Sequence, residues 1–285
     1  MHVLVLVIVS FDKPEYHDML AVWRERINEM TSTDVWFIQC KSDKEWIGDI
    51  VNDLREPLRS SLKNPPLFLE ESQSLSLGSL SQSLSLKDRF ELDVANKTLY
   101  VRGDECLIPG ILHKTVEALS FFLRERSSLM IPPYDYVWRT NLSSVLDFEG
   151  LERFLSSGTK ALDVGTNSLD VGTNSLYAGY IGKALNNGSP TFFASGAGFL
   201  MSRDVAMYLV ENKEFLRWDI IDDVAIGALL EPRFGLMHLE RCWVQSEHIV
   251  AEKDVFHFRC ESYQHLRTVE FMRIASKWIA DKSRG

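Results

Sequence analysis

Val3-Leu-Val-Leu-Val-Ile-Val9 is an unbroken apolar run, rich in β-branched residues, that stops at Ser10-Phe-Asp12. It is too short to cross a membrane, no basic stretch precedes it, and no small-residue cleavage site follows it, so neither a membrane span nor an export signal is expected. A short β-branched run closed by a turn is the pattern of a strand buried on both faces of a parallel sheet. Beyond it, Asp12 suits a helix N-cap with Pro14 in the first turn, and Met19, Leu20, Trp23, Ile27 and Met30 then recur at helical spacing. Val35-Trp-Phe-Ile-Gln39 predicts a second strand, whose polar exit, Cys40-Lys-Ser-Asp43, lies where open α/β sheets place their ligand-binding loops. A helix is expected from about Ile111 to Arg126 after Pro109-Gly110, and a strand over Tyr134 to Thr140, entered through Pro132-Pro133. Strand and helix keep alternating, which predicts an α/β fold of the nucleotide-binding kind.

Composition narrows the function classes. The chain has 285 residues, 45% apolar and 25% charged, as expected of an ordered globular protein. Lys and Arg number 31 against 40 Asp and Glu, a net charge of -9 that would repel a phosphate backbone, so nucleic acid is not an expected partner. The four cysteines, Cys40, Cys106, Cys242 and Cys260, show no CxxC pair; reduced thiols in a cytoplasmic protein are the plain expectation. One domain over 1–285 is expected, with two loop insertions. The first, near 72–87, is almost all Ser and Leu and slips its alternation at Gly78-Ser79, so it cannot keep one buried face. The second, 162–175, is a perfect tandem copy of Leu-Asp-Val-Gly-Thr-Asn-Ser, too short for a solenoid repeat and tolerable in a loop at low entropic cost.

Common catalytic signatures are missing. Ser195-Gly-Ala-Gly198 lacks the third glycine of a dinucleotide fingerprint, no Gly-rich loop ends in Gly-Lys-Ser/Thr, and neither HExxH nor GxSxG occurs. What stands out is the order of four segments: Tyr134-Asp-Tyr-Val-Trp-Arg-Thr-Asn-Leu-Ser-Ser144, Phe193-Ala-Ser-Gly-Ala-Gly-Phe-Leu-Met-Ser-Arg203, Ile221-Asp-Asp-Val-Ala-Ile-Gly227 and Val255-Phe-His-Phe-Arg-Cys260. Together they resemble glycosyltransferases of the GT-A fold, most closely the fringe and β-1,3-galactosyltransferase type and the capsid-glycan enzymes that large DNA viruses encode.

The resemblance covers most of the chain. It implies a Rossmann-like nucleotide-sugar-binding fold with a mostly parallel, mixed central sheet flanked by helices. It also implies transfer of a sugar from a nucleotide-sugar, a UDP-sugar first, to a hydroxyl of a glycan or glycoprotein. In that family a strand runs into an acidic triplet, matched here by Arg139 to Ser143; a Ser-Gly-(Gly/Ala)-Gly segment follows, matched by Ser195 to Ser202; then Glu/Asp-Asp-Val-x-x-Gly, matched by Asp222 to Gly227; then a histidine, matched by His257. The implied donor-binding residues are Ser10, Phe11, Asp43, Lys114, Arg139, Thr140, Asn141 and Ser143, with Ser195, Gly196, Ala197 and Gly198 facing the sugar or acceptor. Asp223 is the implied general base of an inverting displacement, and Asp222 the alternative. Tyr177-Ala-Gly-Tyr-Ile-Gly182 falls on the acceptor side, where aromatic faces stack on sugars.

The departure is Asn141-Leu142-Ser143, which stands where the family carries its carboxylates for Mn²⁺ or Mg²⁺. An amide and a hydroxyl draw a hard cation far less than carboxylates do. Two arrangements stay open: a weak metal site of His257, Asn141, Ser143 and the diphosphate, or direct neutralisation by Arg139 and Lys114. Plainer roles also fit: Asn141-Leu-Ser143 as a turn, Asp222-Asp223 as a helix cap, Ser195 to Gly198 as packing, and His257 as a structural histidine.

Overall fold

The computed structural model describes residues 1–10, 15–27, 33–46, 89–125, 133–158, 175–186, 188–252, 254–260 and 265–282. Phe11, Asp12, Pro14, Met30, the 72–87 insertion and all of the duplicated heptads except Ser175 lie outside the described residues.

The strand read first, β1 (Val3–Ile8), is buried at every position. Successive side chains of a strand point to opposite faces, and β1 feeds two cores in that way. Val3, Val5 and Val7 enter one, with Met19 and Trp23 of α1 (Glu15–Ile27); Leu4, Leu6 and Ile8 enter the other. Only a strand with helices on both sides needs apolar residues at every position, which is why the run does not alternate. β1 pairs in parallel with β2 (Thr33–Lys41) on one side, and β2 in turn with β4 (Thr98–Arg102), whose antiparallel partner at the sheet edge is β3 (Phe90–Asp93).

On the other side β1 runs parallel to β5 (Tyr136–Asn141). Beyond it lie the antiparallel β8 (Ser189–Ser202), then β7 (Tyr177–Asn186) and the short β9 (Met237–His238). The sheet thus has eight described strands in the order β3-β4-β2-β1-β5-β8-β7-β9. A smaller sheet orders β10 (Cys242–Trp243), β11 (His257–Arg259) and β6 (Ser144–Leu146).

The expected helix after Pro109 is α2 (Gly110–Ser120), which passes into a π-helical turn over Phe121–Glu125. Its Leu112, Val116 and Leu119 join the second core, together with Val205 and Leu209 of α4 (Arg203–Glu211) and Ile226 and Leu230 of α5 (Asp222–Phe234). The first core is closed by Leu151 of α3 (Phe148–Gly158) and by Met272, Ala275 and Ile279 of α6 (His265–Lys282). The molecule is therefore α/β, a large mixed sheet with helices on both faces. Among the described residues no helix is long and apolar enough to cross a membrane.

Candidate functional site

β1 and β5 end side by side, Ile8 opposite Asn141. Beyond these carboxyl ends opens a cavity of about 470 Å³. Open α/β sheets bind ligands at this edge, because the strands stop there and the connections diverge to the two faces. Distant parts of the chain build the walls: Ser10 after β1, Asn141 to Ser143 after β5, Ser195 to Ala197 of β8, Asp222 and Asp223 opening α5, and Arg241, Trp243 and Arg259 around the smaller sheet.

The acidic pair is held from two directions. Asp222 is buried and takes Nη2 of Arg139 at 2.5 Å. Arg139, 2% exposed, also donates through Nη1 to the Gly196 carbonyl. The N–H of Gly196 in turn donates to Oδ2 of Asp223 at 3.0 Å, and that of Val224 to Oδ1 at 2.9 Å. One residue, Gly196, therefore ties both acids to β8, Asp223 through its N–H and Asp222 through the Arg139 bound at its carbonyl. A Cβ at residue 196 would sit 3.0 Å from Arg139 Nη1, so a side chain there would push the guanidinium by a few tenths of an ångström. Burial, and then the neighbouring Asp222 charge, push the Asp223 carboxyl above its ordinary value, outweighing the Gly196 N–H, Arg139 and Val224 N–H contributions that lower it. From sequence, the helix N-terminus predicts a readily ionised, modest base; burial beside a second carboxylate makes it a stronger one.

The same cavity is also lined by arginines. Nη1 of Arg259, a residue 8% exposed, donates to Asn141 Oδ1 at 2.6 Å and Ser143 Oγ at 2.7 Å. Nη1 of Arg241 donates to Ser195 Oγ at 2.9 Å, and its guanidinium lies over both Tyr180 and Trp243, 4.0 and 4.4 Å from the ring centroids. Trp243 is 45% exposed and faces the cavity.

Several expected ligand contacts are packing contacts instead. Lys114 lines the cavity floor but is 0% exposed, its ammonium bound at 2.6 Å to both the Val9 carbonyl and Glu105; a buried charge needs such partners, and here they pin α2 to the end of β1. Thr140 is buried, with Oγ1 donating to the Ala197 carbonyl at 2.6 Å, so it fastens β5 to β8 and does not line the cavity. Cys40 and Lys41 belong to β2 itself, and Asp43 is exposed, accepts Arg102 Nε at 2.7 Å and lies outside the cavity lining. Ser10, Lys114, Arg139, Asn141, Ser143, Ser195, Gly196, Ala197, Asp222 and Asp223 do converge.

Gly198 and His257 form a different unit. Gly198 pairs with Thr140, and a Cβ on it would meet Trp138 at 2.6 Å and His257 at 2.8 Å. His257 is buried against Trp138, ring centroids 5.3 Å apart, and is not part of the cavity wall. Burial, with the Arg241 and Arg259 charges, holds its pKa down to about 3, so the ring is neutral. Gly198→Ala forces a methyl between two buried rings and is expected to cost about 1–3 kcal/mol, the range for overpacking, read in denaturant melts. A loss below about 0.5 kcal/mol would show that the rings can move apart. Tyr177 is likewise a core residue, its hydroxyl accepting the Ala194 N–H at 3.0 Å. Among the described residues no group of three His, Cys, Asp or Glu side chains could hold a metal ion.

Arg241 and Trp243 escaped the reading of the sequence. Arg259 sits in a segment quoted for His257, two residues on. No protein-family model matches the chain, and no curated protein matches it.

Proposed function

We propose that this chain is a GT-A-type glycosyltransferase that moves a sugar from a nucleotide-sugar, a UDP-sugar first, to a hydroxyl of a glycan or glycoprotein acceptor with inversion. The observation that carries the reading is the convergence of Asn141 to Ser143, Ser195 to Ala197 and Asp222-Asp223 on one cavity at the carboxyl edge of the sheet. These are the segments whose order suggested the family.

In the reaction, Asp223 takes the proton of the acceptor hydroxyl while that oxygen forms its bond to the anomeric carbon. The bond from that carbon to the diphosphate oxygen breaks, and its electron pair leaves with the nucleoside diphosphate. The two backbone N–H groups on Asp223 fix the carboxylate and leave it lone pairs for the incoming proton. Trp243 offers an exposed ring face on which a sugar or base can stack. Because burial and Asp222 raise the Asp223 pKa, transfer should fall on the acid side through a midpoint above 3.8, the ordinary Asp value, as protonation removes the base. A pH–rate profile checks this; a midpoint at or below 3.8 would argue against Asp223.

Release of UDP from a panel of UDP-sugars offered with glycan acceptors tests the activity. Release in step with product supports it, and no turnover of any sugar nucleotide counts against it. A second reading has its own observation: Asp222 is consumed by Arg139, and both Asp223 oxygens already accept backbone N–H groups. A catalytically degenerate glycan-binding or scaffold protein would look like this, and would bind glycans without transfer. The cytoplasm, including the host cytoplasm for a virus-encoded enzyme, is the proposed location; Cys40, Cys106, Cys242 and Cys260 are free thiols, as a reducing compartment keeps them.

A further inference from the structure

The implied Mn²⁺ or Mg²⁺ has to find its oxygens at Asn141 and Ser143, and the residues present do not fit it. Asn141 Oδ1 and Ser143 Oγ both accept Arg259 Nη1, at 2.6 and 2.7 Å, and His257 lies off the cavity against Trp138. A guanidinium only donates, so the Asn141 atom it meets is the amide oxygen, and the amide nitrogen is left over. Asn141 lines the cavity, and among the described residues nothing accepts from that nitrogen. Ser195 Oγ is placed in a similar way: it accepts Arg241 Nη1 at 2.9 Å and the Ala197 N–H at 3.5 Å, while its own hydrogen has no acceptor among the described residues. The cavity thus holds two neutral donors that no other side chain uses.

Trp243 is tied to both of them, through one residue each. It pairs with Arg259 across β10 and β11, and Arg259 reaches on to Asn141. Arg241, which holds Ser195, covers one face of the Trp243 ring at 4.4 Å from its centroid. Trp243 is nonetheless 45% exposed and lines the cavity, so its other face is open. Ser195 directly precedes Gly196, whose N–H holds Asp223. The open ring is therefore close along the chain to the group that takes the proton, at the end of the cavity where a sugar reacts. A pyranose has the matching chemistry: a face of C–H groups for the indole, and edge hydroxyls that accept from an amide or a serine and donate to a carboxylate.

We propose that the open face of Trp243, with the Asn141 amide N–H₂ and the Ser195 hydroxyl, is a seat for one sugar ring. The assignment deepens the nucleotide-sugar reading and rests on it. The ring belongs to the donor's transferred sugar or to the acceptor, and calorimetry with UDP, a panel of UDP-sugars and a panel of free neutral oligosaccharides tells these apart. In Trp243→Ala the sugar-bearing probe is expected to lose roughly tenfold or more in affinity, with UDP alone unchanged within about twofold. Trp243→Phe keeps an aromatic face and should recover part of the loss. Asn141→Asp keeps the oxygen that Arg259 holds but removes the N–H₂, and should weaken the same probe about fivefold, the equivalent of one hydrogen bond. Loss confined to UDP-sugars assigns the seat to the donor, and loss confined to oligosaccharides assigns it to the acceptor. UDP and UDP-sugars weakened alike in Trp243→Ala would mean that the ring stacks on the base, which overturns the seat and leaves the nucleotide reading standing. A sugar-bearing probe that neither Trp243→Ala nor Asn141→Asp weakens also overturns it. Oligosaccharide binding that depends on Trp243, with no binding of UDP or any UDP-sugar, keeps the seat and sinks the nucleotide reading. Binding of no probe at all overturns both.

Discussion

Arg139→Ala is expected to lose about 3–5 kcal/mol of folding stability, the cost of leaving one member of a buried ion pair without its partner. Arg139 and Asp222 are both buried and 2.5 Å apart, and the same guanidinium holds the Gly196 carbonyl, so the truncation strands a carboxylate and a backbone acceptor together. Asp223 beside them makes the stranded charge worse. At this chain length such a loss lowers the melting temperature by on the order of 10 °C. Replacing the pair together, as Arg139→Met with Asp222→Leu, should cost less than Arg139→Ala alone, because the Asp222 charge goes with its partner, while the Gly196 carbonyl and Asp223 lose Arg139 in both cases. Denaturant melts of the single and double variants close the cycle; a single-variant loss under about 1 kcal/mol would mean that the pair is solvated. From sequence, Arg139 was expected at the diphosphate. Its burial makes stability, ahead of donor affinity, the first quantity to change.

Asp223→Asn should keep the fold and the affinity for a UDP-sugar while losing roughly a hundredfold or more in transfer, the range for removing a general base. The amide retains one carbonyl oxygen, which can still accept from Gly196 or from Val224 but not from both, so a stability loss of about 1 kcal/mol is expected. Losing a negative charge next to Asp222 offsets part of that. The readout is single-turnover transfer beside a binding titration. Near-wild-type turnover, or a product that retains the donor's anomeric configuration, would remove Asp223 from the role.

The α/β class was legible because Val3 to Ile8 is apolar at every position, a pattern that demands cover on both faces, and because Met19 and Trp23 follow at helical spacing into the same core. Asp222-Asp223 was legible as a pair of acids ahead of an apolar helix. Thr140 and Gly198 were misread for a geometric reason: they face each other across β5 and β8, and along a strand neighbouring residues such as Arg139 and Thr140 point to opposite faces, so a continuous motif cannot place all its members on one ligand. Lys114 does line the cavity, but a basic residue on an otherwise buried helix gives no local sign of its partners, Val9 and Glu105. Trp243, with Arg241 just before it, went unread because β10 is two residues long, and Arg259 was passed over beside His257 because β11 is three residues long, both too short to show any period.

The central claim, that the cavity beyond β1 and β5 is a nucleotide-sugar transfer site, is tested most directly by a crystal structure with a non-hydrolysable UDP-sugar analogue. The account predicts the nucleotide diphosphate inside that cavity, and the Asp223 carboxylate on the face of the anomeric carbon opposite the leaving oxygen. A nucleotide bound elsewhere, or Asp223 on the same face as the diphosphate, would contradict it.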